Sequence, residues 1–274
     1  MSAKTIIVTR PAGQARQLIE VLTRAIEVSA VAKRSFPEII SLPLLTIVPK
    51  SDEQLADRIA TILSDADLAI FVSPNAIESV MRLLERDWQD FSKKIIPIGV
   101  MGGSSCLALK NHGIGQEKNP TPIIIPKDHQ HWDSEGLWQE LQSLKWDWQN
   151  KKVVIFKGEG GRDWLAATLK NAGANVEAIA TYARIPLDID NPAWHPIHEM
   201  DFSKSFWLLT SSEAVRYLGE VIQDQFPQSL KSASALCSHH NIADAAKAIG
   251  FGEVFTSEPG DEAVVKSTLA WLTL

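Results

Sequence analysis

Cysteine is nearly missing from this 274-residue sequence: Cys106 and Cys237 are its two occurrences. Neither has CxxC or Cys/His spacing, which argues against a disulfide framework and a zinc site. Two buried free thiols in a reducing cytosol are expected. His239 and His240 are adjacent, and neighbours on a helix diverge, so no metal is expected there. No apolar run reaches the roughly 18–20 residues that span a bilayer. Met1 to Arg10 lacks the apolar core and small-residue cleavage site of a secretory leader. A cytoplasmic chain with no membrane partner is expected. Clustered basic charge is also lacking, since 27 Lys and Arg face 33 Asp and Glu for a net charge of −6. That balance speaks against nucleic acid, while a small anion in a local pocket remains compatible with it.

Several catalytic signatures are absent too. No GxGxxG follows a strand, so a dinucleotide site is not expected. Gly158-Glu159-Gly160-Gly161-Arg162 is glycine-rich but lacks the Lys-Ser/Thr ending of a phosphate loop. There is no GxSxG elbow. No carboxylate pair stands out, and no histidine stands beside a serine or cysteine that reads as a nucleophile candidate. The residue types present suit binding, steering and weak acid catalysis rather than covalent chemistry.

What is present is a strand–helix alternation. Apolar residues make up 45% and charged residues 22%, so a sizeable core is available to one large domain or two ordinary ones. Strands are expected at Thr5–Thr9, Leu68–Val72, Lys94–Val100, Lys152–Phe156, Val176–Thr181, Phe206–Leu209, Ala233–Cys237 and finally Glu253–Phe255. Ile39 to Val48 reads as extended, broken by Pro43. Helices are expected around Leu18 to Ile26, from Leu55 to Leu63, up to Leu84, and after Gly102-Gly103-Ser104-Ser105. This alternation implies parallel sheets with helices on both faces. The tryptophans, Trp146, Trp148 and Trp194 among them, are expected to pack rather than to bind ligand.

A weak internal repeat carries more information. Phe71-Val72-Ser73-Pro74-Asn75-Ala76-Ile77 resembles Leu209-Thr210-Ser211-Ser212-Glu213-Ala214-Val215. Each is followed by a strand and a helix that ends in glycine, at Gly113-Ile114 and Gly250-Phe251. Arg10-Pro11-Ala12-Gly13 likewise resembles Lys157-Gly158-Glu159-Gly160. The chain therefore runs A, B, A′, B′, and two pairings are open: A with B, or A′ with B and A with B′. The proline-flanked crossings at Pro37–Pro43 and Tyr182–Pro196 favour the second. The expected fold is α/β with two similar lobes, each a parallel sheet flanked by helices. A two-stranded linker would join them across a cleft. The outer domain would comprise 1–38 plus 186–274, and the inner domain 42–182.

In open parallel sheets, ligands bind beyond the carboxyl ends of the strands. The candidates there are Arg10, Pro11, Ser73, Asn75, Gly102 to Ser105, Lys157 to Arg162, Thr210 to Ser212, and Ser238 to Asn241. Ser, Thr, Gly and Asn at helix N-termini can cap the helix or hold anions through backbone N–H groups. Tyr182, one of two tyrosines, is expected to end a strand and face the cleft. A phenol stays protonated at neutral pH and can donate a proton.

Taken in order, I-I-V-T-R-P at 6–11, F-V-S-P-N-A-I at 71–77 and I-G-V-M-G-G-S-S-C-L-A-L at 98–109 resemble the uroporphyrinogen-III synthase family. So do K-G-E-G-G-R-D-W-L at 157–165, G-A-N-V-E at 173–177 and T-Y-A-R at 181–184. L-T-S-S-E-A-V at 209–215 and I-A-D-A-A-K-A-I-G-F at 242–251 complete the set. The resemblance implies two α/β lobes with the outer one split in sequence. It implies closure of linear hydroxymethylbilane through an azafulvene and a spiro intermediate, with ring D inverted and water released. No cofactor or metal is implied, and a monomer is expected. Unassisted closure omits the inversion, so the enzyme's task would be steering.

By the same resemblance Tyr182 is the acid assisting hydroxyl loss. Ser73, Ser105 and Ser211 contact the acetate and propionate groups, together with Asn75, Gly102, Gly158, Thr210 and Ser212. Arg10, Lys157 and Arg162 add positive potential. Ser105 stands where threonine is common, which keeps the hydroxyl. Lys157 stands where arginine is common and lacks the bidentate grip on a carboxylate. Two rival readings are a non-catalytic anion-binding protein and a nucleotide-sugar enzyme. The latter calls for a nucleotide-binding acidic residue or phosphate loop, and neither is found.

Overall fold

The computed structural model describes residues 4–29, 36–225, 230–258 and 260–274. The parts of the expected outer domain at 1–3, 30–35, 226–229 and 259 lie outside the described residues. In chain order the elements are β1 (Thr5–Val8), α1 (Ala12–Glu27), β2 (Glu38–Ser41), β3 (Leu45–Pro49), α2 (Glu53–Leu63), β4 (Leu68–Phe71) and α3 (Pro74–Leu84). Next come β5 (Ile98–Val100), α4 (Gly103–Asn111), β6 (Ile123–Ile124), α5 (Ser134–Ser143), β7 (Lys152–Gly158), α6 (Trp164–Asn171), β8 (Asn175–Pro186) and α7 (His195–Glu199). Last are β9 (Ser205–Leu209), α8 (Ser212–Gln225), β10 (Ser234–Cys237), α9 (His240–Ala248), β11 (Glu253–Thr256) and α10 (Asp261–Thr273).

Packing groups the chain into two compact units. Met1–Thr46 with Ile185–Leu274 forms the outer unit, and Ile47–Arg184 forms the inner one. The outer sheet runs β11-β10-β9-β1-β2, and the inner sheet runs β3-β8-β7-β4-β5-β6. The pairs β1–β2, β1–β9, β9–β10 and β10–β11 are parallel, as are β4–β5, β4–β7, β5–β6 and β7–β8. Counted outward from β9 and from β4, the two orders correspond. Unit A therefore shares a sheet with B′, and A′ shares one with B.

The central strands of both sheets are buried on both faces, so β1, β4, β5 and β9 are nearly continuous apolar runs. In β9, Trp207 and Leu209 face α8 and α9, while Phe206 and Leu208 face α1 and α10. In β7, Val154 and Phe156 belong to the core with α2, α3 and α4, while Val153 and Ile155 belong to the core with α5 and α6. Helix α10 was not expected from the sequence. It buries Val264, Val265, Thr268, Trp271 and Leu272, and Trp271 stacks on Phe206 at 4.6 Å between ring centroids. Strand β5 begins at Ile98, not at the expected Lys94. Pro97 has no N–H for the ladder, although its carbonyl accepts from Ala69 N (3.1 Å). Ile39 to Val48 divides at Leu42–Leu44 into β2 and β3, which lie in different sheets.

The repeat extends to helix ends. After α4, Gly113 N donates to Lys110 O (2.9 Å) and Ile114 N to Leu109 O (3.0 Å). After α9, Gly250 N donates to Lys247 O (3.0 Å) and Phe251 N to Ala246 O (3.2 Å). This paired closure needs a left-handed residue, and φ is +74° at Gly113 and +101° at Gly250. A Cβ on Gly250 would meet nothing within 4 Å. Gly250→Ala is therefore expected to cost about 1–2 kcal/mol through backbone conformation alone. Urea unfolding measures it, and a loss within ~0.3 kcal/mol of zero would contradict it.

At the amino end of the inner sheet, the Asp67 carboxylate accepts from Lys94 Nζ (2.9 Å) and from Lys152 N (2.8 Å). Desolvation raises its pKa, but these hydrogen bonds and nearby lysine charges outweigh it, and the net shift is downward. A depressed folded-state pKa gives stability that is present above the unfolded value, about 3.9, and lost as pH falls through the folded one. Asp67→Asn is expected to remove that part of the acid limb. Urea melts at neutral pH and near pH 3 should converge more for the variant than for the parent; an unchanged difference would contradict the assignment.

Candidate active site

The inner unit gathers four elements at the carboxyl end of its sheet. Ser73 follows β4 and caps α3, its Oγ accepting from Ala76 N (3.2 Å). The same Oγ lies 3.0 Å from the Tyr182 hydroxyl, a hydrogen bond between residues 109 positions apart. Tyr182 does not end a strand, because β8 continues to Pro186. Its side chain is only 3% exposed and packs in one core with Phe71, Phe156 and Ile179.

Ile179 and Tyr182 are three residues apart, and regular strand alternation would put them on opposite faces. A register shift resolves this. Lys157 pairs with Ala180, but Gly158 pairs with Tyr182, leaving Thr181 as the extra residue. The Thr181 hydroxyl donates back to Lys157 O (3.4 Å). This bulge re-aims the tyrosine toward Ser73. Gly158 sits directly against the ring: a Cβ there would lie 2.7 Å from Tyr182 Cε2 and 2.6 Å from Arg184 Nη1.

Arg184 was not singled out from the sequence. It lies two residues beyond Tyr182 on the same strand, a spacing that keeps side chains on one face. Its Nη1 donates to Tyr182 Oη (3.4 Å) and its Nη2 to Glu159 O (2.8 Å). Glu159 N in turn donates to Tyr182 O (2.9 Å), and its carboxylate pairs with Lys50 (2.8 Å).

The other inner candidates make no hydrogen bond to Tyr182 or Ser73 among those described. Gly102 caps α4, and Trp132 covers both Gly102 and Gly103 so closely that a Cβ at Gly103 would lie 2.7 Å from its ring. Ser105, expected to be a cleft-facing hydroxyl, is 2% exposed on the buried side of α4. Asn75 lies in the first turn of α3, and its carbonyl accepts from Ser79 Oγ (2.6 Å). Lys157 pairs with Asp163, which lowers the Asp163 pKa. Arg162 grips Glu135 with two bonds of 2.8 and 3.2 Å. These cations are thus compensated, and an anionic ligand would have to compete with their carboxylates.

In the outer unit, Arg10 is largely buried and pairs with Asp261 at the start of α10 (2.6 Å). Ser211 Oγ accepts from Ala214 N (3.3 Å), repeating the cap made by Ser73. Thr210 precedes it, and Ser212 Oγ donates to Asn241 O (3.2 Å). The His239 and His240 rings do not diverge; their centroids are 4.0 Å apart. His239 is the extended N-cap of α9, not a helical residue, and its Nδ1 accepts from Asn241 N (3.2 Å). Cys237 is buried and its thiol is pushed up to about 12 by desolvation. Cys106 is only half-buried, contrary to expectation. Its helix is short and only weakly one-sided.

A family model described as uroporphyrinogen-III synthase HemD matches residues 27–266. The chain belongs to the uroporphyrinogen-III synthase family. A uroporphyrinogen-III synthase of Escherichia coli (strain K12) is 25% identical over 264 residues, covering 94% of this chain and 96% of its own. That of Salmonella typhimurium (strain LT2) is 25% identical over 269 residues, with the same coverage. Among solved structures, a mutant uroporphyrinogen III synthase from Thermus thermophilus superposes with a TM-score of 0.60 at 14% identity. It covers 99% of this chain and all of that one. The Helicobacter pylori 26695 uroporphyrinogen-III synthetase gives 0.58 at 12% identity, over 98% of this chain and all of that one. These structures share the fold. Among the described residues, no helix is long and apolar enough to cross a membrane, and no group of three or more His, Cys, Asp or Glu is placed to hold a metal ion.

Proposed function

We propose that the chain acts as a hydro-lyase on hydroxymethylbilane, closing it to uroporphyrinogen III with inversion of ring D and loss of water. The observation that carries this reading is the Ser73–Tyr182 hydrogen bond, held at the carboxyl end of the inner sheet. It sits within the family match that spans residues 27–266. Tyr182 supplies the proton for the departing hydroxyl. Ser73, Asn75 and Gly158 lie where they can meet the substrate, Gly102 and Ser105 would do so only once Trp132 and the buried side of α4 open, and Lys157 and Arg162 exchange their carboxylate partners for those of the substrate. In the outer unit, Arg10 exchanges Asp261 for a substrate carboxylate, and Thr210, Ser211 and Ser212 offer hydroxyl groups to the same kind of ligand. The reaction breaks one C–O bond and rearranges carbon–carbon bonds with no net oxidation or reduction, so it calls for no redox cofactor.

The two units, Met1–Thr46 with Ile185–Leu274 and Ile47–Arg184, act as the domains expected at 1–38 plus 186–274 and 42–182, in a monomer of the cytoplasm. Incubation with fresh hydroxymethylbilane, followed by oxidation and chromatography, tests the activity. Isomer III well above the protein-free mixture is the expected result. Isomer I alone, from folded protein, would refute it.

A further inference from the structure

We propose that Tyr182 does not meet the substrate itself but delivers its proton through Ser73, with Arg184 compensating the charge left on the phenol. The inference rests on the reaction proposed above. The Tyr182 side chain is 3% exposed, and its hydroxyl has two polar neighbours, Ser73 Oγ at 3.0 Å and Arg184 Nη1 at 3.4 Å. A guanidinium can only donate. The phenol oxygen therefore accepts from Arg184; either hydroxyl can donate across the Ser73–Tyr182 contact, and in the relay the phenol hydrogen points to Ser73. Ser73 Oγ also accepts from Ala76 N (3.2 Å). With two bonds accepted, the serine's own hydrogen is the one directed outward, at the strand end where open parallel sheets bind ligands.

The step balances. The C–O bond of the substrate's hydroxymethyl group breaks with its electron pair going to oxygen, assisted by the pyrrole nitrogen. The departing oxygen takes the Ser73 proton and leaves as water, while Ser73 takes the Tyr182 proton. A phenolate remains beside Arg184, and an azafulvenium cation remains on the substrate. When the macrocycle has closed, the proton it sheds returns through Ser73 to Tyr182. Arg184 is a positioning residue in this scheme. Its place is fixed by the bond from Nη2 to Glu159 O (2.8 Å) and by the Glu159–Lys50 ion pair (2.8 Å). Gly158 lies directly against the phenol ring, and the β8 bulge sets the direction of the Tyr182 side chain.

The test is a double-mutant cycle on the rate of isomer III formation, using Ser73→Ala, Tyr182→Phe and the double variant. Each single change is expected to lower kcat about a hundredfold, the lower end of what a positioned acid supplies. In a relay both changes remove the same proton path, so the double variant should be no slower than the slower single one. Ser73→Thr should recover most of the rate. Ser73→Asn keeps an oxygen to cap α3 but has no hydroxyl, and should match Ser73→Ala in rate while retaining the native circular dichroism. Arg184→Met should lower kcat with KM unchanged, and Arg184→Lys should restore part of it. Losses that multiply to about ten-thousandfold in the double variant would overturn the relay, as would an active Ser73→Asn. Wild-type protein giving only isomer I would instead overturn the reaction, and the relay with it.

Discussion

Gly158→Ala is expected to cut the rate of isomer III formation by about a hundredfold, the effect of displacing a reacting group by roughly 1 Å. The backbone at Gly158 has no left-handed φ, so the requirement for glycine is one of space. A single methyl group would sit 2.6 Å from Arg184 Nη1 and 2.7 and 2.8 Å from the Tyr182 ring. Neither neighbour can yield easily. The ring is wedged among Phe71, Phe156 and Ile179, and the guanidinium is held by Glu159 O. Overpacking at such a point costs about 1–3 kcal/mol, and the damage falls on the phenol–serine contact. Gly13→Ala provides the control. A Cβ there meets nothing within 4 Å, the site is in α1, and alanine should stabilise the helix by up to about 1 kcal/mol. Unimpaired isomer III formation by Gly158→Ala would mean that the ring's position does not matter.

Trp207→Ala is expected to lower stability by about 3–5 kcal/mol, a large part of the ~5–15 kcal/mol that holds a typical domain together. Trp207 is 0% exposed in the middle strand of the outer sheet. It packs edge-on against Phe251 (6.0 Å) and stacks on Phe202 (6.1 Å). Its indole N–H donates to Ser205 Oγ (3.0 Å), so alanine empties a large volume and also leaves a buried hydroxyl without its donor. Its place in the middle of the sheet, in the core formed with α8 and α9, limits how far the surroundings can close over the space. Urea unfolding followed by circular dichroism reads the loss. A change below about 1 kcal/mol would show the outer core to be far more plastic than its packing suggests.

The strands were legible because both sheet faces are buried, which turns β1, β4, β7 and β9 into unbroken apolar runs. The pairing of repeats was legible for a different reason: Ser73 and Ser211 make the same cap, and Gly113 and Gly250 make the same helix closure. Helix α10 was missed because its apolar residues, Val264, Val265, Thr268, Trp271 and Leu272, do not form a narrow stripe. The bulge at Thr181 could not be read either. It depends on the register between β7 and β8, and no residue type announces it. The compensated cations were invisible for a related reason. Arg10–Asp261 and Arg162–Glu135 join residues far apart in sequence, and single-sequence patterns carry no information about such partners. Arg184 alone had a signal that could have been used, its i+2 spacing from Tyr182.

The measurement bearing most directly on the central claim is the ratio of isomer III to isomer I from hydroxymethylbilane as protein concentration is raised. Spontaneous closure supplies a fixed background of isomer I, so a steering enzyme should push the ratio upward with each addition until isomer III dominates. A heat-unfolded sample should leave it at the background value. If folded protein consumed the substrate yet left the ratio unchanged, ring D would not be inverted by this chain, and its role as a steering enzyme would be contradicted.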